Sequence, residues 1–291
     1  MIGRFVVVSP CRNEERFIEL TLNSVVRQTR RPDRWIIVDD GSSDASLRIV
    51  ERYAAEHPWI ELLRLPDKGK RPPGAHEAVA FNDGIKHLGD DPYEVIAKLD
   101  TDLEFGSQAF AEALAHFDDE RVGLAGGITY LVEGDKLVSE RPSPSHVPGQ
   151  AKFYRRACFE DIGGVQPVLG WDILDETDAR RRGWRTVGDR EIVFKTFRLQ
   201  GARTGAVHGR YIYGLGAYAI GTHPLFAVAR GIFRMTERPW IVGGLGFIWG
   251  FFAGYFHPAV KRIGNVELIR HLRREQLYRL FHGNRLPPEE G

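Results

Sequence analysis

Apolar runs and polar gaps alternate with a short rhythm over the first 130 residues. Phe5-Val6-Val7-Val8, Trp35 to Val38, Ile60 to Leu65, Glu94 to Leu99 and Val122 to Tyr130 are nearly continuous apolar stretches. Such runs are the sequence form of strands buried on both faces. Between them lie helical patterns. Phe17, Leu20, Leu22, Val25 and Val26 form one apolar face, and Ser42-Ser43-Asp44 supplies N-cap residues for a helix reaching about Ala55. A further helix ends near His87 after the Gly/Pro/Lys loop 68–74, and another runs from Gln108 to Phe117. Strands alternating with helices over short loops predict a doubly wound, mostly parallel α/β sheet.

The rhythm breaks after residue 133. Arg141 to Gly149 is Pro/Ser-rich and reads as a loop. Asp175 to Arg182 reads as a short, highly charged helix, with Glu176 and Arg180 one turn apart and able to pair. Asp178 is expected to pair with Arg181 or Arg182. Beyond Gly201 the chain turns rich in glycine, aromatics and arginine. The expected organisation is one α/β domain over residues 1–205 and a basic helical region over 206–291.

Charge sharpens that division. Residues 1–200 carry 28 Lys and Arg against 34 Asp and Glu, whereas residues 201–291 carry 12 against 5. A basic tail on an acidic body points to an anionic partner. No motif supports nucleic-acid binding. The two cysteines, Cys11 and Cys158, make no disulfide framework and fit a reducing compartment. The N-terminus enters a strand at once, so no secretory leader is expected.

Two of the apolar runs end in acidic clusters: Val38-Asp39-Asp40-Gly41-Ser42 and Lys98-Leu99-Asp100-Thr101-Asp102. Open α/β sheets bind ligands at the carboxyl ends of their strands. Carboxylates there can hydrogen-bond a nucleoside or hold a hard divalent cation against a diphosphate. Taken with Pro10-Cys11-Arg12-Asn13-Glu14-Glu15 and Asp175-Glu176-Thr177-Asp178 followed by Gly183-Trp184, the pattern resembles the family 2 glycosyltransferases of the GT-A fold. Arg71-Pro72-Pro73-Gly74, Lys98-Leu99-Asp100 and Gly170-Trp171-Asp172 bring it near bacterial exopolysaccharide enzymes of the succinoglycan type. The resemblance covers roughly residues 4–200.

The resemblance implies inverting transfer of a sugar from a nucleotide-sugar, with UDP the expected nucleotide, to an acceptor hydroxyl. It implies Mg²⁺ or Mn²⁺ as cofactor, with Asp102 a metal ligand and Asp100 near the metal or ribose. Asp40 is expected on the donor's base, with Asp39 shaping the turn. Pro10, Arg12 and Glu14 line the nucleoside loop, where Arg12 either stacks on the base or is a solvated surface residue. Lys68, Arg71 and Lys98 are expected to face the diphosphate. Trp171-Asp172 is expected at the donor or acceptor sugar, or Trp171 is simply buried at a hinge. The acid order Asp175-Glu176 is swapped relative to the family. Either carboxylate can be the base, and Glu176 is the first choice. Related enzymes often carry a histidine where this chain has Lys195-Thr196-Phe197-Arg198, and His208 is a possible substitute.

Ile241 to Phe256 is free of charge but shorter than the roughly 20 residues a spanning helix needs. Arg230, Arg234 and Arg238 recur every four residues just before it, as on a membrane-surface helix. The expectation is a peripheral or re-entrant segment at the cytoplasmic face of a bacterial inner membrane. The alternative is a helical subdomain packed on its own protein or on a second subunit. The acceptor is expected to be a growing glycan or a polyprenyl-diphosphate sugar. A non-catalytic scaffold subunit of a glycan assembly complex is the competing reading, and a nucleotidyltransferase is disfavoured by the loop after the first strand.

Overall fold

A computed structural model of the chain describes residues 2–66, 76–138, 143, 145–198, 205–283 and 285–288. The expected ligands Lys68 and Arg71 lie outside these described residues. The first half of the chain folds as β1 (Phe5–Cys11), α1 (Ile18–Val26), β2 (Arg34–Asp39), α2 (Ser46–Glu56), β3 (Ile60–Arg64), α3 (His76–Leu88) and β4 (Val95–Leu99). Then follow β5 (Leu103–Phe105), α4 (Ala109–Ala115), β6 (Val122–Glu133), β7 (Lys136–Val138), β8 (Ala151–Arg155), α5 (Arg156–Asp161), α6 (Trp171–Arg181) and β9 (Arg185–Thr196). Four helices close the chain: α7 (Ala206–Ala219), α8 (Pro224–Arg234), α9 (Trp240–Ala253) and α10 (Val266–His282).

The strands form one sheet in the order β3-β2-β1-β4-β8-β6-β9-β5, with β7 paired to β6. β3, β2, β1 and β4 are mutually parallel. β8 then runs antiparallel to both β4 and β6, so the sheet is mixed rather than parallel throughout. The apolar runs explain the core. Phe5, Val7, Trp35, Ile37, Val95 and Ala97 pack on one face, against α1 and α4, while Val6, Val8, Ile36, Val38 and Ile96 pack on the other, against α3. That two-sided burial makes the runs continuous instead of alternating.

Three local expectations change. Helix α2 begins at Ser46, later than the Ser42-Ser43-Asp44 cap suggested. Ser42 N instead donates to the Asp39 carboxylate at 3.2 Å and Ser43 N to Asn13 Oδ1 at 2.8 Å, so these residues tie the β1 and β2 loops together. Helix α6 begins a turn earlier than expected, and its charged stretch is buried: Asp175, Glu176, Thr177 and Asp178 are all inside. Strand β9 pairs parallel with β6 along nearly its whole length and was not foreseen as a strand.

The C-terminal helices form a layer against α6. Leu174 of α6 packs with Ile220, Leu268 and Leu272. Within the layer, α7 and α9 approach so closely that a Cβ at Gly214 would sit 2.1 Å from the Phe247 carbonyl oxygen, and one at Gly250 2.1 Å from that of Tyr211. Glycine at both crossings is what lets the backbones meet. Among the described residues, no helix is long and apolar enough to cross a membrane.

Candidate active site

The carboxyl ends of β1, β2 and β4, the start of α6 and the inner faces of α8 and α10 enclose one cavity of about 1610 Å³. That exceeds the roughly 300–1,000 Å³ of a typical single-ligand pocket. Pro10, Arg12, Glu14, Asp40, Lys98, Asp100, Asp102, Trp171 and Glu176 all line it.

At the sheet end, Asp39 and Asp40 are placed differently. Asp39 accepts hydrogen bonds from the Gly41 and Ser42 amides, each at 3.2 Å, and Gly41 takes φ 81°, a left-handed turn. Asp40 is released into the cavity, its Oδ2 lying 3.9 Å from both Arg12 Nη1 and His76 Nδ1. Glu14, in the same lining, also has a protein partner. Its carboxylate receives two bonds from the Arg198 guanidinium, at 2.9 and 2.5 Å, so it serves as an anchor for Arg198.

Lys98 interrupts an apolar strand and is wholly buried. Its ammonium donates to Asp100 and lies 3.4 Å from Glu77 Oε2 and 5.2 Å from the Trp171 ring centre. Burial disfavours its charge, but Asp100 and Glu77 more than offset this and leave it firmly protonated. Lys152, the cross-strand partner of Lys98 on β8, lies 5.6 Å from the same ring centre. Trp171 is therefore a buried ring in reach of two ammonium groups, and it also lines the cavity.

Burial pushes the Asp100 carboxyl well above the usual range, opposed by Lys98 but reinforced by Glu77 and Asp102. Asp102 is raised as well, again by burial first, with Arg198 opposing and Glu77 adding to it. Arg198 Nε stands 4.0 Å from Asp102 Oδ2. Two crowded, desolvated carboxylates gain from a cation between them, and hard oxygen ligands suit Mg²⁺ or Mn²⁺. Among the described residues no three His, Cys, Asp or Glu side chains gather to cage a metal. The residues fit an ion whose remaining ligands come from a substrate diphosphate, the usual habit of Mg²⁺. His208 does not join them. It is exposed on α7 against the Tyr211 ring, and Arg198 stands beside Asp102 instead.

Helix α6 separates the two acids of the swapped pair. Asp175 turns into the protein, where Lys152 Nζ (2.8 Å) and the Tyr154 hydroxyl (2.5 Å) donate to it. Its carboxyl is pushed up to about 6 by burial, which Lys152 and Tyr154 only partly offset. Among the described residues that line the cavity Glu176 is present and Asp175 is not. Both Glu176 oxygens lie 3.1 Å from His146 Nδ1, and Oε2 accepts from the Val147 amide at 3.1 Å. Arg180 Nη1 is 3.7 Å from Oε1. Burial would raise this carboxyl, but His146 and Arg180 outweigh it and hold Glu176 well below the usual carboxylate range. An ionised carboxylate only accepts, so His146 carries its proton on Nδ1. Asp178 bonds both Arg181 and Arg182, at 2.7 and 3.2 Å.

Several groups at the site were not singled out from the sequence: His76, Glu77, His146, Lys152 and Arg198. They come from distant segments, and only β8 pairing with β4 or β9 returning beside β5 brings Lys152 and Arg198 to the site. Two of the tail arginines reach the site as well. Arg230 and Arg234 of α8 line the cavity, with Arg234 buried against the Tyr213 and Phe247 rings. Arg238 is 76% exposed and lies 3.6 Å from Glu133.

The comparisons with known proteins agree with this architecture. The chain is 25% identical over 223 residues to the minor teichoic acid biosynthesis protein GgaA of Bacillus subtilis, covering 72% of this chain and 46% of that one. The chain spans about half the length of the curated relatives it matches. A mannosyltransferase from Pyrobaculum calidifontis, solved with GDP-Man and Mn²⁺, superposes with a TM-score of 0.57 at 18% identity, over 97% of this chain and 81% of that one. S. aureus TarS residues 1–349, solved with UDP-GlcNAc, gives 0.56 at 18% identity over 97% and 87%. These last two likenesses show the GT-A fold. The model of Glycosyl transferase family 2 matches residues 6–168, more than half of the chain, and the chain belongs to that family.

Proposed function

We propose that the chain moves a sugar, with inversion, from a nucleotide-sugar to an acceptor hydroxyl in polysaccharide or lipid-linked glycan assembly, with Glu176 as the base. One observation carries this reading. The acids of the sheet end, Asp40, Asp100 and Asp102, and the carboxylate of Glu176 on α6 face a single cavity from separate elements. Inversion needs the leaving diphosphate and the base on opposite sides of the sugar, and two elements meet that need where one loop could not.

In this reading Asp40 and Arg12 hold the nucleoside. A divalent cation bound by Asp102 and Asp100 would offset the charge that builds on the leaving diphosphate. Lys98 orients Asp100, and Arg198, held by Glu14, faces Asp102. As the acceptor oxygen bonds to the anomeric carbon, its proton passes to Glu176 and the bond to the diphosphate oxygen breaks. Glu176 is a weak base, but it is always ionised, and His146 and Arg180 fix its direction. Asp175 then acts indirectly, by packing α6 on Lys152 and Tyr154. The curated name of GgaA and the UDP-GlcNAc and GDP-Man in the solved neighbours support a nucleotide-sugar donor and a cell-surface polymer as acceptor.

The chain is further proposed to work at the cytoplasmic face of a membrane. Trp240, Ile241, Val242, Leu245, Trp249 and Phe256 form an exposed apolar face on and just beyond α9, flanked by Arg238 and Lys261.

The test is calorimetric titration of UDP, GDP, CDP and dTDP into the full chain, with and without Mn²⁺, repeated on Glu176→Gln. One nucleotide should bind in a Mn²⁺-dependent way to both proteins. Sugar incorporation into membrane extract should fall by about a thousandfold in the variant, within the usual span for a lost general base. No nucleotide binding under either condition would return the chain to the scaffold reading. An unchanged rate in Glu176→Gln would remove the base assignment.

A further inference from the structure

The end of the cavity farthest along the chain from the sheet acids is lined by four arginines: Arg180 from α6, Arg230 and Arg234 from α8, and Arg279 from α10. Two glutamates stand among them, and both are engaged. Glu275 accepts from Arg180 at 2.7 and 2.9 Å. Glu237 lies 3.5 Å from Arg210 and 3.9 Å from Arg234. Among the described residues Arg279 makes a single side-chain hydrogen bond, Nη2 to Ser145 Oγ at 3.2 Å, and a looser 3.9 Å approach to Glu275. Its buried Nε has no acceptor among the described residues. Arg230 is exposed toward the cavity and makes no hydrogen bond or ion pair among the described residues.

Among the described residues this corner carries more positive charge than the neighbouring acids balance. The Arg279 charge is disfavoured first by burial and then by Arg180, with Arg230 adding to it and Glu275 and Glu176 giving partial relief. Such an arrangement is costly unless a ligand supplies the counter-charge. Guanidinium groups bind phosphate oxygens through paired parallel hydrogen bonds, which suits Arg over Lys at such a site.

We propose that Arg230 and Arg279 bind a phosphate group of the acceptor, so that the acceptor is a phosphorylated glycan carrier and not a neutral sugar chain. This rests on the donor and base assignments above and names the acceptor class for the same cavity. The spacing favours it. Glu176 meets Arg180 at 3.7 Å, Arg180 meets Glu275 at 2.7 Å, and Glu275 approaches Arg279 at 3.9 Å. A phosphate on Arg279 therefore sits a few side chains from the proposed base, about where a hydroxyl one residue away on the same acceptor would reach Glu176. A prenyl diphosphate carrier and a polyol-phosphate polymer share this chemistry.

The experiment titrates farnesyl diphosphate, a glycerol-phosphate trimer and glucuronate into the full chain by calorimetry. Wild type, R230E, R230Q/R279Q and D102N are compared. One or both phosphate probes should bind wild type and D102N alike. Affinity should drop roughly tenfold for each guanidinium lost. R230E alters an exposed residue, so its result stands even if the double variant folds poorly. The probe that binds tells a lipid carrier from a polymer. Binding that survives R230E, binding that is lost in D102N instead, or binding of glucuronate alone would each overturn the proposal. Nucleotide titrations run alongside keep the two readings apart: if no nucleotide binds wild type, the donor assignment fails while the phosphate result is read independently.

Discussion

At the ends of β1, β2 and β4, polar groups sit in loops and the apolar residues lie behind them in strands. In α8 and α10 the order is reversed: arginines and Glu275 point into the cavity, while Leu225, Ile232 and Phe281 are turned outward. Both walls face the same space, but they hold their charges by different means. The sheet end uses backbone turns and strand ends, with Asp39 capping a turn beside Asp40, which lines the cavity. The helical wall uses ion pairs to other side chains, joined to the sheet domain through Arg180, which touches Glu176 on one side and Glu275 on the other. Charges held by backbone geometry tolerate the loss of a neighbour. Charges held by one another do not.

The largest expected effect follows from that contrast. Arg180→Met removes a cation that pairs with both buried glutamates, Glu176 at 3.7 Å and Glu275 at 2.7 Å. It should destabilise the protein by about 3–5 kcal/mol, the usual cost of breaking a buried pair from one side. Urea denaturation measures this directly. Asp40→Ala, at the sheet end, should change stability by less than about 1 kcal/mol while abolishing nucleotide binding. Equal losses in the two variants would erase the distinction between the walls.

Acid should separate the walls in the same way. Burial would raise the Glu275 carboxyl, but His271 and Arg180 hold it down to about 2. A carboxyl whose value falls on folding contributes stability that is fully present above its unfolded value, near 4.5, and lost as pH drops through its folded value. Glu275 should therefore supply roughly 3 kcal/mol that fades between about pH 4.5 and 2. Glu176 is shifted in the same direction and adds to the loss. Denaturation midpoints across this range should fall steeply for wild type and less steeply for Glu275→Gln. Parallel curves would mean that Glu275 is not held by its neighbours as the distances imply.

The same contrast explains what could be read without coordinates. Strands β1 to β4 were legible because burial on both faces leaves an unbroken apolar run, and their ends carried Asp40, Asp100 and Asp102. The acid stretch of α6 was legible as a helix, and its Glu176–Arg180 pair followed from one-turn spacing. Strand β9 was hidden. Asp189, Arg190 and Glu191 interrupt it at the register shift against Gly127 and Ile128. Lys98 looked like a ligand to a diphosphate, yet its buried ammonium is already engaged by Asp100. In the tail, the four-residue spacing of Arg230 and Arg234 revealed amphipathicity. Spacing alone says that a helix has two faces, not which face meets water. Arg198, His146 and Arg279 make hydrogen bonds to side chains 30 to 184 positions away, a relation that local pattern does not carry.

The smallest effect tests the outward side of the helical wall. If the apolar face of α9 lies on a membrane, Trp249 and Phe256 enter the headgroup region, being 69% and 89% exposed in the isolated chain. Trp249→Ser with Phe256→Ser should then lower partitioning onto vesicles of phosphatidylglycerol and phosphatidylcholine by about tenfold, through lost apolar burial. Arg230→Gln should leave partitioning nearly unchanged, because Arg230 faces the cavity. If Arg230→Gln is the more damaging change, α8 meets lipid through its arginines and the inward reading of that wall is wrong. If neither variant alters partitioning but the Trp249 and Phe256 changes shift the mass seen in sedimentation equilibrium, the face covers a second copy of the chain. The outward apolar face and the inward arginines would then still be separate devices on one helix layer, with protein in place of lipid on the outside.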